Sequence, residues 1–267
     1  VGAETEADAM LVRAIALAAI LISSAAIDLA YAAEPSGEAV AVIQSTSVEG
    51  AAGNRALAVK GPVYSGDLVR TDQAGQAQIR FRDDTRLVVG PGSELTIDSF
   101  VFAGQASARE FTINAVRGAF RFITGSSEKQ AYTIKTPNAT IGVRGTKFDV
   151  TVEGAATSLA LYEGGVRVCD TSGPQRRCTE LSGQCRIIIA APNADFRWVN
   201  NVYERTALMD TVFPFAFSQS ALRSEFRVDS RRCEVREIRK RGNFTDSPER
   251  GGDSRGEQGE KGNSIRQ

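Results

Sequence analysis

The chain has 267 residues, 42% hydrophobic and 24% charged, with a formal net charge of zero and no histidine. That balance supports one sizeable core and gives no global attraction to nucleic acid. The missing histidine excludes Ser-His-Asp and Cys-His catalysis and histidine-based zinc sites, because imidazole is the group that titrates nearest neutrality.

Residues 10–33, MLVRAIALAAILISSAAIDLAYAA, read as an export signal. Arg13 gives a positive start, Ala14 to Ile27 is a largely apolar run, and Ala30-Tyr31-Ala32 places small residues where a signal peptidase cuts. The run is shorter than the roughly 20 residues a spanning helix needs, so a cleaved signal is preferred to a transmembrane anchor. Residues 1–9 are an acidic extension, and 1–32 are expected to be removed. The remainder carries a small positive excess, too slight to name a partner.

From Ala39 to about Ile189 strand follows strand. Ala77, Ile79 and Phe81 alternate with Gln76, Gln78, Arg80 and Arg82, the period-two pattern of a half-buried strand. The same spacing recurs at Leu87 and Val89, Leu95 and Ile97, Phe111 and Ile113, and Phe120 and Phe122. It continues at Tyr132 and Ile134, Phe148 to Val152, Leu159 and Leu161, and Val166 and Val168. Turn residues fall between them, at Gly66-Asp67, Asp83-Asp84, Thr136-Pro137-Asn138 and Glu163-Gly164-Gly165. The expected fold is all-β, an antiparallel β-sandwich or β-roll of many short strands occupying 39–190.

Residues 191–241 form a less regular C-terminal extension, packed on or tied to the β domain. Val202 to Met209 suits a short helix, and Phe226 and Val228 suggest a last strand. Arg223 to Arg241 is basic with interleaved acids, which reads as a solvated face. Residues 242–267 are polar and Gly-rich, the composition of a disordered tail.

The four cysteines, Cys169, Cys178, Cys185 and Cys233, all lie beyond the signal, and an even count in an oxidising compartment reads as two disulfides. Three pairings are possible. The turn-rich stretch between Cys169 and Cys178 suits a hairpin pair worth about 2.5 to 3 kcal/mol in the chain-entropy model, which leaves Cys185 for Cys233 at about 4 kcal/mol. A four-cysteine zinc site is disfavoured by the wide spacings.

The stretches Ser65-Gly66-Asp67-Leu68-Val69-Arg70-Thr71 and Gln76 to Leu87, with Asp83-Asp84-Thr85, resemble the FecR domain. So do Arg117 to Phe122 and the run Thr136-Pro137-Asn138-Ala139-Thr140-Ile141-Gly142-Val143-Arg144-Gly145-Thr146-Lys147-Phe148. The resemblance covers about residues 40 to 170. Its motif residues, Gly66, Asp67, Thr71, Asp83, Thr85, Thr136, Pro137, Gly142, Arg144, Gly145 and Thr146, are expected to be structural, with Arg144 a hydrogen-bond hub in preference to the alternative, a ligand clamp. Asp84 stands where the family commonly has glycine.

The name-giving FecR proteins join a cytoplasmic sigma-factor-binding segment, a membrane helix and a periplasmic sensing part. Nine residues ahead of the signal are too few for the first of these, so the expectation is the extracytoplasmic β domain alone. The functional expectation is a non-enzymatic, periplasmic or otherwise extracytoplasmic binding or sensory module of the cell envelope. Its partner would be an envelope protein or a cell-wall glycan met at a sheet edge or face, with no nucleic acid, metal or cofactor. The alternatives are a ligand-free scaffold and a glycan-active enzyme with paired carboxylates. For the enzyme, Asp83 with Asp84, Glu94 with Asp98, and Glu153 with Glu163 are the candidate pairs, each more simply read as solvated turn or strand acids.

Overall fold

The structure, a computed structural model, describes residues 34–104, 107–128, 130–174 and 176–234. The export signal and the Gly-rich tail lie outside these residues. The first half of the fold holds β1 (Gly37–Ile43), β2 (Thr46–Gly50), β3 (Gly53–Ala56), β4 (Pro62–Val63), β5 (Leu68–Thr71), β6 (Gln76–Phe81), β7 (Arg86–Val89) and β8 (Glu94–Gly104). Then come β9 (Ser107–Ile123), β10 (Tyr132–Lys135), β11 (Ala139–Glu153), β12 (Ala156–Asp170), β13 (Cys178–Ser182), β14 (Arg186–Ala190) and β15 (Arg197–Val199). One helix, α1 (Val202–Thr211), follows.

All fifteen strands join one sheet, whose main path runs β15-β14-β12-β11-β10-β9-β7-β6-β1-β4. β13 flanks β12, while β8, β5, β2 and β3 branch from β9. Pairing is antiparallel except between β9 and β10, where Tyr132 to Lys135 lie beside Phe111 to Asn114 in parallel register. The protein is thus mostly β, with a large, mainly antiparallel sheet.

The sequence suggests many short strands, yet β9, β11 and β12 run for 17, 15 and 15 residues. Each bends at a glycine and changes neighbours there, so its pattern reads as two short strands. Up to Arg117, β9 pairs with β8, and from Gly118 onward it pairs with β11. Gly118 has φ +98°, and a methyl group on it would lie 2.1 Å from Ser93 Oγ. β11 and β12 turn the same corner between Arg144 and Lys147, opposite Gly164, which has φ +88°. No side chain fits at these corners, and glycine takes the left-handed backbone freely.

Inward residues of the bent sheet fill one core, including Ile79, Leu87, Ile97, Ile113, Phe120, Phe148, Leu159 and Val168. Phe81, Phe100 and Phe111 meet with ring centroids 4.7 to 5.7 Å apart, a spacing that adds to simple burial. Much of the outward face is also buried, under residues from α1 onward. Ala160, Tyr162, Ile187 and Val199 pack against Met209, Phe213 and Val228. Val88 and Ala119 pack against Phe215, Leu222 and Phe226.

Gln78, on the polar side of the alternation in β6, is fully buried there. Its amide donates to Ala221 O at 3.0 Å and accepts from Arg223 N at 2.9 Å. Asn201 caps α1 by accepting from Tyr203 N and Glu204 N, which satisfies two otherwise orphaned donors. Phe226 and Val228 are buried as their alternation implies, but they form no strand. The Gln219 side chain instead accepts from Val228 N and donates to Val228 O, 2.8 and 3.0 Å away, in place of a neighbouring strand. Disulfides join Cys169 to Cys178 and Cys185 to Cys233.

Candidate interaction face

The sequence motifs supply short hydrogen-bonding devices at the turns. Asp67 follows Gly66, which has φ +87°, and its carboxylate accepts from Tyr64 N at 2.9 Å and Arg55 Nη2 at 2.6 Å. Thr71 donates to Gly90 O at 2.5 Å and accepts from Ser93 N at 2.9 Å. Thr136 accepts from Ala139 N at 3.0 Å and meets the Thr157 hydroxyl at 2.8 Å, while Pro137 is exposed. Thr146 N donates to Thr124 Oγ1 at 2.8 Å.

Asp83 is fully buried, so it is not the solvated turn acid that its sequence context suggests. Its carboxylate accepts from Thr85 N (3.0 Å), Thr85 Oγ1 (2.9 Å), Ser127 Oγ (2.7 Å) and Tyr132 OH (2.8 Å). A buried carboxylate with four donors is a structural hub, because a buried charge persists where hydrogen bonds replace its water. Burial, foremost, holds the Tyr132 phenol above its ordinary value. Asp84 is exposed, takes the left-handed backbone at φ +63° and pairs with Arg86. The turn therefore keeps the conformation that glycine favours, with aspartate in it.

The other acid pairs form no joint site. Glu94 lies 3.5 Å from Arg70 and 3.4 Å from Arg117, and Asp98 lies 2.8 Å from Lys135. Glu163 pairs with Lys147 at 2.7 Å, whereas Glu153 sits at the far end of the β11–β12 hairpin. Among the described residues no cluster of acids and cysteines could hold a metal ion.

Asp170 is buried, and Ser172 Oγ (2.6 Å), Ser172 N (2.9 Å) and Arg177 Nη2 (2.8 Å) donate to it. The Ser172 hydroxyl, then Arg177, hold its carboxyl at about 2. A depressed carboxyl stabilises the fold above the ordinary carboxylate range and loses that contribution as pH falls toward 2. The stability gap between the native protein and D170N, read from urea midpoints, should therefore shrink steadily from pH 5 to pH 2. A gap independent of pH would refute the assignment.

The exposed side of β10 to β13 differs from these hydrogen-bonded turns. Register places Thr133, Gly142, Arg167 and Glu180 in one rung across the four strands. Lys135, Thr140, Cys169 and Cys178 form the rung on one side, and Arg144, Gly165 and Ser182 the rung on the other. A cleft of about 380 Å³ is lined by Thr133, Thr140, Gly142, Arg167, Arg176 and the Cys169–Cys178 disulfide. Arg144 is exposed and, among the described residues, makes no side-chain hydrogen bond or ion pair, so it is not the expected hub. Arg167 and Arg176 are also exposed and, among the described residues, without an ion pair or side-chain hydrogen bond. Neither stands out in the sequence: the register sets Arg167 one rung from Arg144, and Arg176 lines the cleft beyond Arg167.

Most of the motif-bearing turns and corners fall within residues 67–167, which match the family described as FecR protein. The chain carries a FecR domain. No curated protein matches the chain. Two crystal structures, at 1.65 and 2.50 Å resolution, of a protein from Parabacteroides distasonis ATCC 8503 provisionally described as an anti-sigma factor are similar to it. Each has a TM-score of 0.41 and 17% sequence identity, over 50% of this chain and 59% of that one. This chain thus spans 59% of the length of those chains. The matched residues hold β10, β11 and most of β12 of the arginine-bearing face, while β13 and Arg176 lie beyond them.

Proposed function

We propose that the chain is a non-enzymatic interaction module of the cell envelope, working outside the cytoplasm and binding an envelope protein or cell-wall glycan. In this reading 39–190 is the binding domain and 191–241 a buttress tied to it by Cys185–Cys233. The observation that carries it is the β10–β13 face, where Arg144, Arg167 and Arg176 are exposed without a carboxylate partner among the described residues. Among the described residues Lys60, Arg109 and Arg186 are also exposed without an ion pair, but no two of them share a rung or neighbouring rungs of one face. The candidate acids Glu94, Asp98 and Glu163 are tied to separate cations. Two disulfides suit an oxidising compartment, and among the described residues no helix is long and apolar enough to cross a membrane.

The test is cross-linking in intact envelopes together with sedimentation on isolated peptidoglycan. A discrete cross-linked species or saturable co-sedimentation is the expected result. Neither appearing, with the protein present at native abundance, would overturn the proposal.

A further inference from the structure

Two glycines on the arginine-bearing face are unexplained by the fold. A glycine inside a strand weakens it and commonly marks a bend or a close approach of another backbone. Neither Gly142 nor Gly165 has the positive φ of the corner glycines Gly145 and Gly164. A methyl group on Gly142 would meet only Arg167 O, at 3.9 Å. On Gly165 it would meet Leu181 O at 3.6 Å and Ser182 Cβ at 3.8 Å, which is ordinary contact. Side chains would fit at both places, and the strand is left bare.

The register sets these glycines against the arginines: Gly142 opposes Arg167, and Arg144 opposes Gly165. Successive rungs on one face of a sheet lie about 7 Å apart, two residues along the strand. Arg144 and Arg167 stand in adjacent rungs, and Arg176 lines the cleft beyond Arg167. Lys135 and Lys147 flank the face but are matched by Asp98 and Glu163.

We propose that this face seats an acidic segment of a partner protein in extended conformation. Its main chain lies over Gly142 and Gly165, and its carboxylates are received by Arg144, Arg167 and Arg176. The inference rests on the reading of the chain as an interaction module and adds the surface and the chemistry of the partner. Same-side residues of an extended chain repeat every 7 Å or so, the spacing of the rungs. Guanidinium forks match carboxylates bidentately, and the bare floor lets a second backbone come close. An anionic lipid surface fits less well, because it attracts clusters of about four to eight basic residues, and here three arginines share the face with Glu180.

The test uses the oxidised protein and a fluorescent ten-residue peptide alternating glutamate and threonine, with an alternating lysine and threonine peptide as control. Binding by anisotropy at low salt is expected for the acidic peptide alone. R144A/R167A/R176A should weaken it at least tenfold. G142V/G165V should weaken it comparably while leaving the melting temperature unchanged or raised, which separates a contact floor from charge attraction. Equal binding of both peptides, full binding by G142V/G165V, or equally strong binding of phosphatidylglycerol vesicles or polyglycerol phosphate would each overturn the proposal. Envelope cross-linking with the arginine variant separates the two levels. A partner still captured by it leaves the module reading standing and removes this face, whereas no capture by the native protein removes the module reading itself.

Discussion

Replacing Arg121 with methionine is expected to destabilise the protein by about 3 to 5 kcal/mol, the cost of leaving a buried charge without its partner. Arg121 is fully buried and grips Asp149 with two hydrogen bonds, Nε to Oδ1 at 2.7 Å and Nη2 to Oδ2 at 2.8 Å. The remaining donors reach out of the sheet, to Phe215 O and Gln219 Oε1, both at 2.8 Å. Tyr162 OH completes the set by donating to Asp149 Oδ2 at 2.8 Å. Burial works against the guanidinium charge, but the Asp149 carboxylate outweighs it and holds Arg121 above its ordinary value. Burial, aided by the same carboxylate, holds the Tyr162 phenol well above its own.

The variant therefore strands Asp149 and also frees the segment around Phe215 and Gln219. At about 2 to 4 °C per kcal/mol for a domain of this size, the melting temperature should fall by roughly 10 °C. R121M/D149L should recover most of that loss, because exchanging a buried pair for apolar groups is often neutral or stabilising. Thermal melts of the single and double variants, followed by circular dichroism, decide the matter. A single variant melting within a degree or two of the native protein would show that the pair does not anchor the segment.

The β class and most core residues were legible because an inward side chain alternates regardless of which strand lies beside it. Phe120 and Phe122, or Phe148 and Val150, face the core as their spacing says. Arg121 and Asp149, between them, carry the outward sign that usually means solvent. They are buried because a segment about 70 residues beyond Asp149 covers that side of the sheet, and no local pattern encodes such a covering. Long strands were hidden for the opposite reason, since glycine corners split β9, β11 and β12 into pieces that look separate. The arginine-bearing face was half visible. The run from Thr136 to Phe148 announced Gly142 and Arg144, but Arg167 and Gly165 join them only through the β11–β12 register. Asp83 shows the limit of reading a residue by type, because a turn aspartate is usually wet and this one is surrounded by donors from four groups.

The two disulfides should differ in what they protect, and Cys233→Ser should be the costlier change. Cys185–Cys233 closes a separation of 48 residues and Cys169–Cys178 one of 9. The chain-entropy model gives about 4 kcal/mol for the longer loop and about 2.7 kcal/mol for the shorter. The difference in place matters as much as the difference in length. Cys169–Cys178 joins neighbours already held by the β12–β13 ladder, whereas Cys233 ends the segment that buries Phe213, Phe215 and Phe226 against the sheet. Cys233→Ser therefore removes one fastening of that segment, and Arg121 is another, beside the Gln78 amide that holds Ala221 and Arg223. Fastenings of one element do not add once the element has come away, so the cost of C233S/R121M should be smaller than the combined cost of the two single changes. Denaturant midpoints for the three variants measure this coupling, and limited proteolysis should cut first between α1 and residue 233. Strict additivity would mean that the disulfide and the arginine hold separate parts of the fold.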